Sequence, residues 1–139
     1  MEIRMPFRKP QIVIADDSDS MLRVIIRMLS TRFDLVGICR NGESAVQSVQ
    51  ELCPQVLVLD IFMPILDGIQ VARRLQALNT TAIIVMLTGL EDQEYVDAAL
   101  AAGVKGYVFK RKMAADLLEA IDKVLAGRTF LSGHEDRQG

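Results

Sequence analysis

Five polar residues directly follow short apolar runs, and their types suit chemistry on a phosphoryl group. The runs are 11–15, 56–59, 82–87 and 106–109, and the residues that follow them are Asp16 and Asp17, Asp60, Thr88 and Lys110. Three carboxylates repel one another unless a cation lies among them, and oxygen-only ligands favour Mg²⁺. A lysine and a threonine hydroxyl can both bind phosphoryl oxygens. These residue types therefore predict phosphoryl transfer onto a carboxylate.

Each of these residues also fits an ordinary structural role. The Asp16-Asp17 pair could cap a helix, Asp60 and Thr88 could be turn residues, and Lys110 could be a solvated charge at a strand end. Their joint occurrence at four strand ends favours a common site. No GxxxxGK[ST] motif is present, which argues against a nucleotide site.

Short apolar runs and helical patterns alternate along the chain and must position these residues. Strands are predicted at 11–15, 34–38, 56–59, 82–87 and 106–109, and each is followed by a helical repeat of apolar residues. Strict β-α alternation predicts a doubly wound five-stranded parallel sheet with helices on both faces, in the flavodoxin-like order 2-1-3-4-5. The carboxyl ends of parallel strands meet at one edge, where such sheets bind ligands.

Size and composition limit the alternatives. The 139 residues suffice for one domain, and a net charge of −2 gives no electrostatic footprint for nucleic acid. No apolar run approaches the ~20 residues of a membrane span, and Cys39 and Cys53 form no CxxC pair, so we expect a cytoplasmic protein. The single histidine, His134, argues against histidine catalysis and multi-histidine zinc sites. We expect a loose leader at 1–10, the domain at 11–128, and a tail or linker start at 129–139.

The strand-end residues lie in longer motifs. These are Asp16-Asp17, Leu59-Asp60-x-x-Met63-Pro64-x-x-Asp67-Gly68, Leu87-Thr88-Gly89 and Gly106-Tyr107-x-x-Lys110. In order and spacing they resemble the CheY-like receiver domain of bacterial two-component response regulators. The resemblance covers residues 11–127, and segments 102–110, 117–121 and 126–132 are most similar to the NarL/FixJ/LuxR-type subgroup.

The resemblance implies a role for each matching residue. Asp60 would be the phosphoacceptor and Lys110 would pair with its carboxylate or with the phosphoryl oxygens. Mg²⁺, with Mn²⁺ as the alternative ion, would be bound by Asp17 directly, by Asp16 largely through water, by Asp60 and by the backbone carbonyl of Phe62. Thr88 and Tyr107 would be the switch pair that reports phosphorylation to the face made by the fourth helix, fifth strand and fifth helix.

The resemblance also implies partners. A sensor histidine kinase would supply the phosphoryl group, and an effector domain or downstream protein would receive the signal, with homodimerisation on phosphorylation possible. The chain would be a phosphoacceptor without independent enzymatic turnover. It would be either the regulatory half of a LuxR-type DNA-binding transcriptional regulator, which we favour, or a receiver-only protein. We expect no DNA binding by this chain alone and no membrane association.

Three residues depart from the usual family pattern or modify it. Arg111 follows Lys110 where the family commonly has a cis proline, so this loop is expected to be either trans or strained. Phe62 and Leu90, which flank the route of the attacking water in the family, are bulky and apolar and could slow loss of the phosphoryl group.

Two other functions compete with a phosphorylated receiver. Asp17-Ser18-Asp19 mimics the Asp-x-Asp nucleophile motif of haloacid-dehalogenase-type phosphatases, although the chain is short for that family and offers no late acidic pair or cap. A pseudo-receiver that only binds partners is the third possibility.

Overall fold

The computed structural model describes residues 8–133, and a parallel sheet runs through its centre. Its order is β2-β1-β3-β4-β5-β6, and every neighbouring pair is parallel. Within the described residues the strands are β1 Gln11–Ala15, β2 Asp34–Cys39, β3 Val56–Leu59, β4 Ile83–Thr88, β5 Gly106–Phe109 and β6 Phe130–Leu131.

Helices cover both faces of the sheet. They are α1 Asp19–Leu29, α2 Gly42–Leu52, α3 Gly68–Ala77, α4 Gln93–Ala101 and α5 Met113–Leu125, and a short 3-10 turn, Lys110–Lys112, precedes α5. Side chains alternate between the faces along each strand, so Ile12 and Ile14 pack with α1 and α5. Val13 and Ala15 pack on the opposite face with α2, α3 and α4. The sheet thus separates two apolar cores.

Polar caps fix where the helices start beside the carboxyl edge of the sheet. The Ser18 side chain accepts a hydrogen bond from the Met21 N–H at the start of α1, and Asn41 caps α2 in the same way. Asp67 and Gln70 form a reciprocal capping box at the start of α3. The loops that follow β1, β2 and β3 lie at the same rim because these strands are parallel.

The fold confirms the predicted doubly wound parallel sheet, with the first five strands in the predicted order 2-1-3-4-5. It adds a sixth strand that the sequence analysis did not predict. Strand β6 lies within residues assigned to the tail, yet Phe130 is buried and its N–H donates to the Lys105 carbonyl. The expected tail therefore begins with residues that belong to the sheet.

The predicted leader lies largely outside the described residues, as does most of the predicted tail. At the described end of the leader, the Pro10 carbonyl accepts a hydrogen bond from the Asp34 N–H, which extends the pairing of β1 and β2 by one residue. The division of the chain at 10 and 128 stays a prediction. Between residues 8 and 133, no helix has the length and apolar character needed to cross a membrane.

Candidate metal and phosphoryl site

Three carboxylates meet at the carboxyl edge of β1 and β3. One oxygen from each of Asp16, Asp17 and Asp60 lies within 4.8 Å of the others. Asp16 and Asp60 are buried and Asp17 is exposed. Backbone bonds continue the sheet at this edge, because the Asp16 N–H donates to Cys39 and the Asp60 N–H donates to Ala15. The sheet itself therefore positions the two buried acids.

Lys110 supplies a positive charge between the two buried carboxylates. Its Nζ atom lies 2.9 Å from Asp16 Oδ2 and 2.9 Å from Asp60 Oδ2. Burial acts to lower the pKa of Lys110, but its close contacts with the Asp16 and Asp60 carboxylates outweigh burial, and the pKa lies above its ordinary value. The lysine is therefore held as an ammonium group, ready to contact an anion.

Asp60 is buried in a pocket that disfavours its charge. Burial raises the pKa of Asp60, the Lys110 ammonium opposes this effect without cancelling it, and the Asp16 carboxylate raises the pKa further. The other oxygen, Oδ1, accepts a hydrogen bond of 2.7 Å from the Ile61 N–H. A second cation in this pocket would stabilise the ionised carboxylate.

Asp16 supplies the observation that most directly supports a metal ion. Its Oδ1 atom accepts a hydrogen bond of 2.9 Å from the Ser18 N–H. Its Oδ2 atom is buried and, although it lies beside the Lys110 ammonium, has no aligned hydrogen bond. The Lys110 ammonium balances part of its charge, and a metal ion or a water would complete its remaining contacts. Together with the exposed Asp17, these oxygen donors fit a hydrated Mg²⁺ ion.

Asp67-Gly68 has a geometric reason for its position beside this cluster. A Cβ atom on Gly68 would lie 2.3 Å from the Asp60 carbonyl oxygen, so no side chain fits there. The Gly68 N–H donates to the Ile61 carbonyl at 2.7 Å. Glycine therefore lets the start of α3 approach the backbone of the Asp60 loop closely.

The same loop exposes two large apolar side chains. Phe62 is 62% exposed and Ile65 is 72% exposed. Ile65 has a left-handed backbone conformation with φ of 74°, in a γ-turn closed by a hydrogen bond from the Leu66 N–H to the Pro64 carbonyl. The metal-binding role expected for the Phe62 carbonyl stays a prediction.

Thr88 and Tyr107 meet at Leu90, just after β4. Thr88 is fully buried, and its hydroxyl accepts a hydrogen bond of 3.4 Å from the Leu90 N–H. The Tyr107 ring is fully buried, and its hydroxyl donates to the Leu90 carbonyl at 2.7 Å. Burial, followed by the charge on Asp60, raises the pKa of Tyr107. The sequence analysis did not identify Leu90 as the backbone link between these residues.

Arg111 connects the loop after β5 to the loop after β4. Its guanidinium donates two hydrogen bonds to Glu91, at 2.6 and 2.9 Å, and lies 5.6 Å from the centre of the Phe109 ring. All peptide bonds among residues 8–133 are trans, including Lys110-Arg111. Of the two loop conformations expected for this departure from the family pattern, the structure has the trans one.

Asp19, the second acid of the Asp-x-Asp pattern, lies apart from this cluster. Its carboxylate pairs with Arg40 at 2.7 Å, and both side chains are largely exposed. The Arg40 hydrogen bond and charge hold the pKa of Asp19 below its ordinary value. The Asp19 carboxylate is thus engaged by Arg40 and does not belong to the cluster of Asp16, Asp17 and Asp60.

Comparison with known proteins places the chain in a family. The sequence model of the response regulator receiver domain family matches residues 12–122 of this chain. The chain belongs to this family. The expected resemblance is confirmed, and receiver domains are signalling modules of two-component systems rather than typical enzymes.

Two relatives show the extent of the match. The chain is 31% identical to a chemotaxis protein CheY of Halobacterium salinarum over 115 residues, which cover 83% of this chain and 96% of CheY. It is 34% identical to a putative transcriptional regulator of Pseudomonas aeruginosa, with 84% of this chain covering 57% of that protein. The chain thus spans nearly all of one relative and little more than half of the other.

The fold is also similar to a solved response regulator of the LuxR family. A crystal structure from Aurantimonas sp. SI85-9A1 has a TM-score of 0.86 and 25% identity, with coverage of 94% of this chain and 99% of that one. LuxR-family proteins are therefore among the structural neighbours that the sequence motifs predicted.

Proposed function

We propose that this receiver accepts a phosphoryl group on Asp60 from the phosphohistidine of a sensor histidine kinase. The observation that carries the proposal is the pocket in which Lys110 contacts both Asp60 and Asp16 at 2.9 Å. Asp60 is buried at the end of β3, while the neighbouring Asp17 is exposed, so the pocket opens toward solvent on one side. A donor phosphoryl group could enter there.

Phosphoryl transfer from the donor phosphohistidine to Asp60 needs no further reactant. An Asp60 carboxylate oxygen attacks phosphorus and forms a P–O bond while the P–N bond to the donor imidazole breaks. The electron pair of that bond stays on the imidazole nitrogen. Lys110, which has its ammonium 2.9 Å from Asp60, would offset negative charge on the transferring group. Asp60 would act as the acceptor in a single-turnover event, so the chain itself would not be an enzyme with independent turnover.

Asp16, Asp17 and Asp60 would hold Mg²⁺ in this pocket, and Mn²⁺ is a possible substitute. The family resemblance implies that the Phe62 carbonyl would also bind the ion. Support comes from the oxygen-only donor set and from the buried Asp16 oxygen that lacks an aligned hydrogen bond. When bound, the ion would neutralise negative charge on the phosphoryl group.

Thr88 and Tyr107 would report phosphorylation to the surface formed by α4, β5 and α5. A phosphoryl group adds acceptor oxygens near the end of β4, and Thr88 carries the hydroxyl there. Movement of Thr88 would change its contact with Leu90, and Tyr107 binds the carbonyl of that residue. The Tyr107 ring is buried and bound to the Leu90 carbonyl, so a change at Leu90 would reach the ring directly.

The longer relatives support an inference about the partners of the whole protein. We infer that the chain is the regulatory half of a LuxR-type DNA-binding transcriptional regulator. It would act in the cytoplasm, would pass its signal to an effector domain or downstream protein, and could dimerise when phosphorylated. The charge of −2 supports the expectation that this chain does not bind DNA by itself.

Phosphorylation with a small donor tests the proposal. Acetyl phosphate or phosphoramidate with Mg²⁺ should add one hydroxylamine-labile phosphoryl group, detected by intact mass and mapped to Asp60. Asp60→Asn should take up none. Asp17→Asn should need more Mg²⁺, whereas Asp34→Asn, which removes an exposed acid elsewhere, should behave like the parent.

Two results would support the competing functions instead. A wild-type chain that takes up no label from any donor would be a pseudo-receiver. Label on Asp17, with repeated hydrolysis of a small phosphomonoester, would indicate the phosphatase.

A further inference from the structure

Among residues 8–133, five polar or charged residues are buried, and two of them lie outside the phosphoryl site. Asp16, Asp60 and Thr88 belong to the site, while Asp116 in the first turn of α5 and Ser132 just after β6 do not. The Ser132 hydroxyl donates to Asp116 Oδ2 at 2.8 Å, and the two residues are 3% and 6% exposed. Burial of polar groups is costly unless they are paired, so this hydrogen bond is what makes their burial tolerable. We therefore asked what the buried pair does for the residues around it.

Ser132 also binds the strand that carries the switch tyrosine. Its hydroxyl accepts a hydrogen bond of 3.0 Å from the Phe109 N–H, and its own N–H donates to the Tyr107 carbonyl at 2.9 Å. We refer to Asp116, Ser132 and these three hydrogen bonds as the β6 tie. The tie holds the last residues of β5, and Lys110 is the next residue along the chain.

Packing on both faces of the sheet supports the same attachment. Phe130 is buried in the core that contains α5. Leu131 lies in register with Tyr107 and packs against the other core, which contains that ring. Without β6, the Tyr107 carbonyl and the Phe109 N–H would lose their partners at the sheet edge.

We propose that the β6 tie positions Tyr107 and Lys110, so that docking of β6 and binding of a phosphoryl group strengthen each other. The proposal rests on the proposed function of Asp60. Ser132 and Asp116 act as positioning residues, since they contact the β5 backbone and each other rather than the reacting atoms. Coupling of two binding events is reciprocal, so the phosphoryl group should hold β6 more firmly in place by the same factor. The state of the site would then set how firmly Phe130, Leu131 and Ser132 are held to the sheet.

Beryllofluoride with Mg²⁺, used as an analogue of the phosphoryl group, provides the test. Ser132→Ala and Asp116→Ala should bind the analogue about threefold to tenfold more weakly than the wild-type chain, the range expected if one buried hydrogen bond is fully coupled. Asp116→Asn keeps an acceptor for Ser132 and should recover part of the loss. Thr129→Ala, an exposed change in the same segment, should bind like the wild-type chain.

Amide hydrogen exchange on the wild-type chain gives a second measurement that needs no variant. The analogue should slow exchange of the Ser132 amide, which donates to Tyr107. The Asp34 amide, which donates to Pro10 at the opposite edge of the sheet, should exchange at an unchanged rate.

The outcomes separate this proposal from the proposed function. Equal analogue affinity in all folded variants, with no change in Ser132 exchange, would show that the tie is only structural and would overturn the coupling. If the alanine variants do not fold, unchanged Ser132 exchange in the wild-type chain overturns it alone. A wild-type chain that does not bind the analogue would overturn both proposals.

Discussion

Two buried polar clusters flank the carboxyl end of β5, and they differ in how well their groups are satisfied. In the acidic pocket, Lys110 faces both Asp16 and Asp60, and one Asp16 oxygen has no aligned hydrogen bond. In the β6 tie, Ser132 makes three hydrogen bonds, and Asp116 accepts one of them. The acidic pocket thus holds like charges close together with an incomplete set of hydrogen bonds, whereas the polar groups of the β6 tie are paired.

The difference indicates which cluster is built to accept a new partner. A satisfied buried network rigidifies the structure around it, whereas an incompletely satisfied one is costly until something binds. The pKa of Asp60 is raised, chiefly by burial, so the pocket disfavours the ionised carboxylate on which phosphoryl transfer depends. We therefore expect changes in the pocket to alter binding directly, and changes in the tie to alter it through the positions of Tyr107 and Lys110.

Removal of the Lys110 ammonium should have the largest effect on phosphoryl uptake and on stability. Lys110→Met keeps an extended side chain but leaves two buried carboxylates facing each other. We expect phosphoryl uptake to fall about 100-fold, as when one charge-stabilising donor is lost. In metal-free buffer the free energy of unfolding should fall by about 2 kcal/mol. Lys105→Met, at an exposed lysine, is the control. Uptake within twofold of the parent would contradict the role of Lys110.

Neutralising one acid in each cluster should change stability in opposite directions. Asp60→Asn should raise the free energy of unfolding at pH 7 by about 1 kcal/mol, and Asp116→Asn should lower it by a similar amount, because a charged acceptor becomes a weaker neutral one. Urea unfolding in metal-free buffer measures both. Changes of the same sign would remove the contrast between the clusters.

The Asp60 effect should depend on pH. The folded-state pKa of Asp60 is raised above its ordinary value of 3.8. Between pH 3.8 and the raised pKa, the folded chain therefore binds more protons than the unfolded chain. The stability contribution of Asp60 therefore falls as pH rises from 3.8 to the raised pKa. The advantage of Asp60→Asn should grow over the same interval and then level off.

The hydroxyl beside the pocket should affect the signal more than the chemistry. Thr88→Ala should still be phosphorylated on Asp60, but the NMR signals of Tyr107 should shift less on phosphorylation, because the contact of Thr88 with Leu90 is lost. Thr81→Ala, an exposed threonine before β4, serves as the control. Tyr107 shifts as large as those of the parent would exclude Thr88 from the switch.

The exposed pair of Arg111 and Glu91 should give the smallest effect. Hydrogen bonds from Arg111 hold the pKa of Glu91 below its ordinary value of 4.5, and the Arg111 charge adds to this while burial opposes it. The associated stability is present above pH 4.5 and is lost as pH falls through the lowered pKa. In Arg111→Gln the pKa of Glu91, measured by NMR titration, should rise toward 4.5 with little change in unfolding at neutral pH. Arg128→Gln should leave the pKa of Glu91 unchanged. An unchanged pKa of Glu91 in Arg111→Gln would show that the pair does not persist in solution.

The sequence alone determined the parallel sheet and its carboxyl edge. Apolar runs in β1, β3 and β4 and helical repeats between them are local patterns, and right-handed crossovers leave few topologies. Asp16, Asp17, Asp60, Thr88 and Lys110 lie at or just after the ends of strands, so their meeting at one edge follows from the strand direction. The family motifs at these positions are likewise contiguous in sequence, which is why they could be recognised.

Only the tertiary structure decided which partners these residues have. Lys110 contacts a carboxylate 50 residues away, Tyr107 binds a carbonyl 17 residues away, and Ser132 binds an acid 16 residues away. Strand β6 has two residues, too few to show a periodic pattern, and it forms because β5 offers a free edge and α5 offers a buried acceptor. Such contacts depend on the relative placement of whole elements, and no local pattern in the chain carries that information.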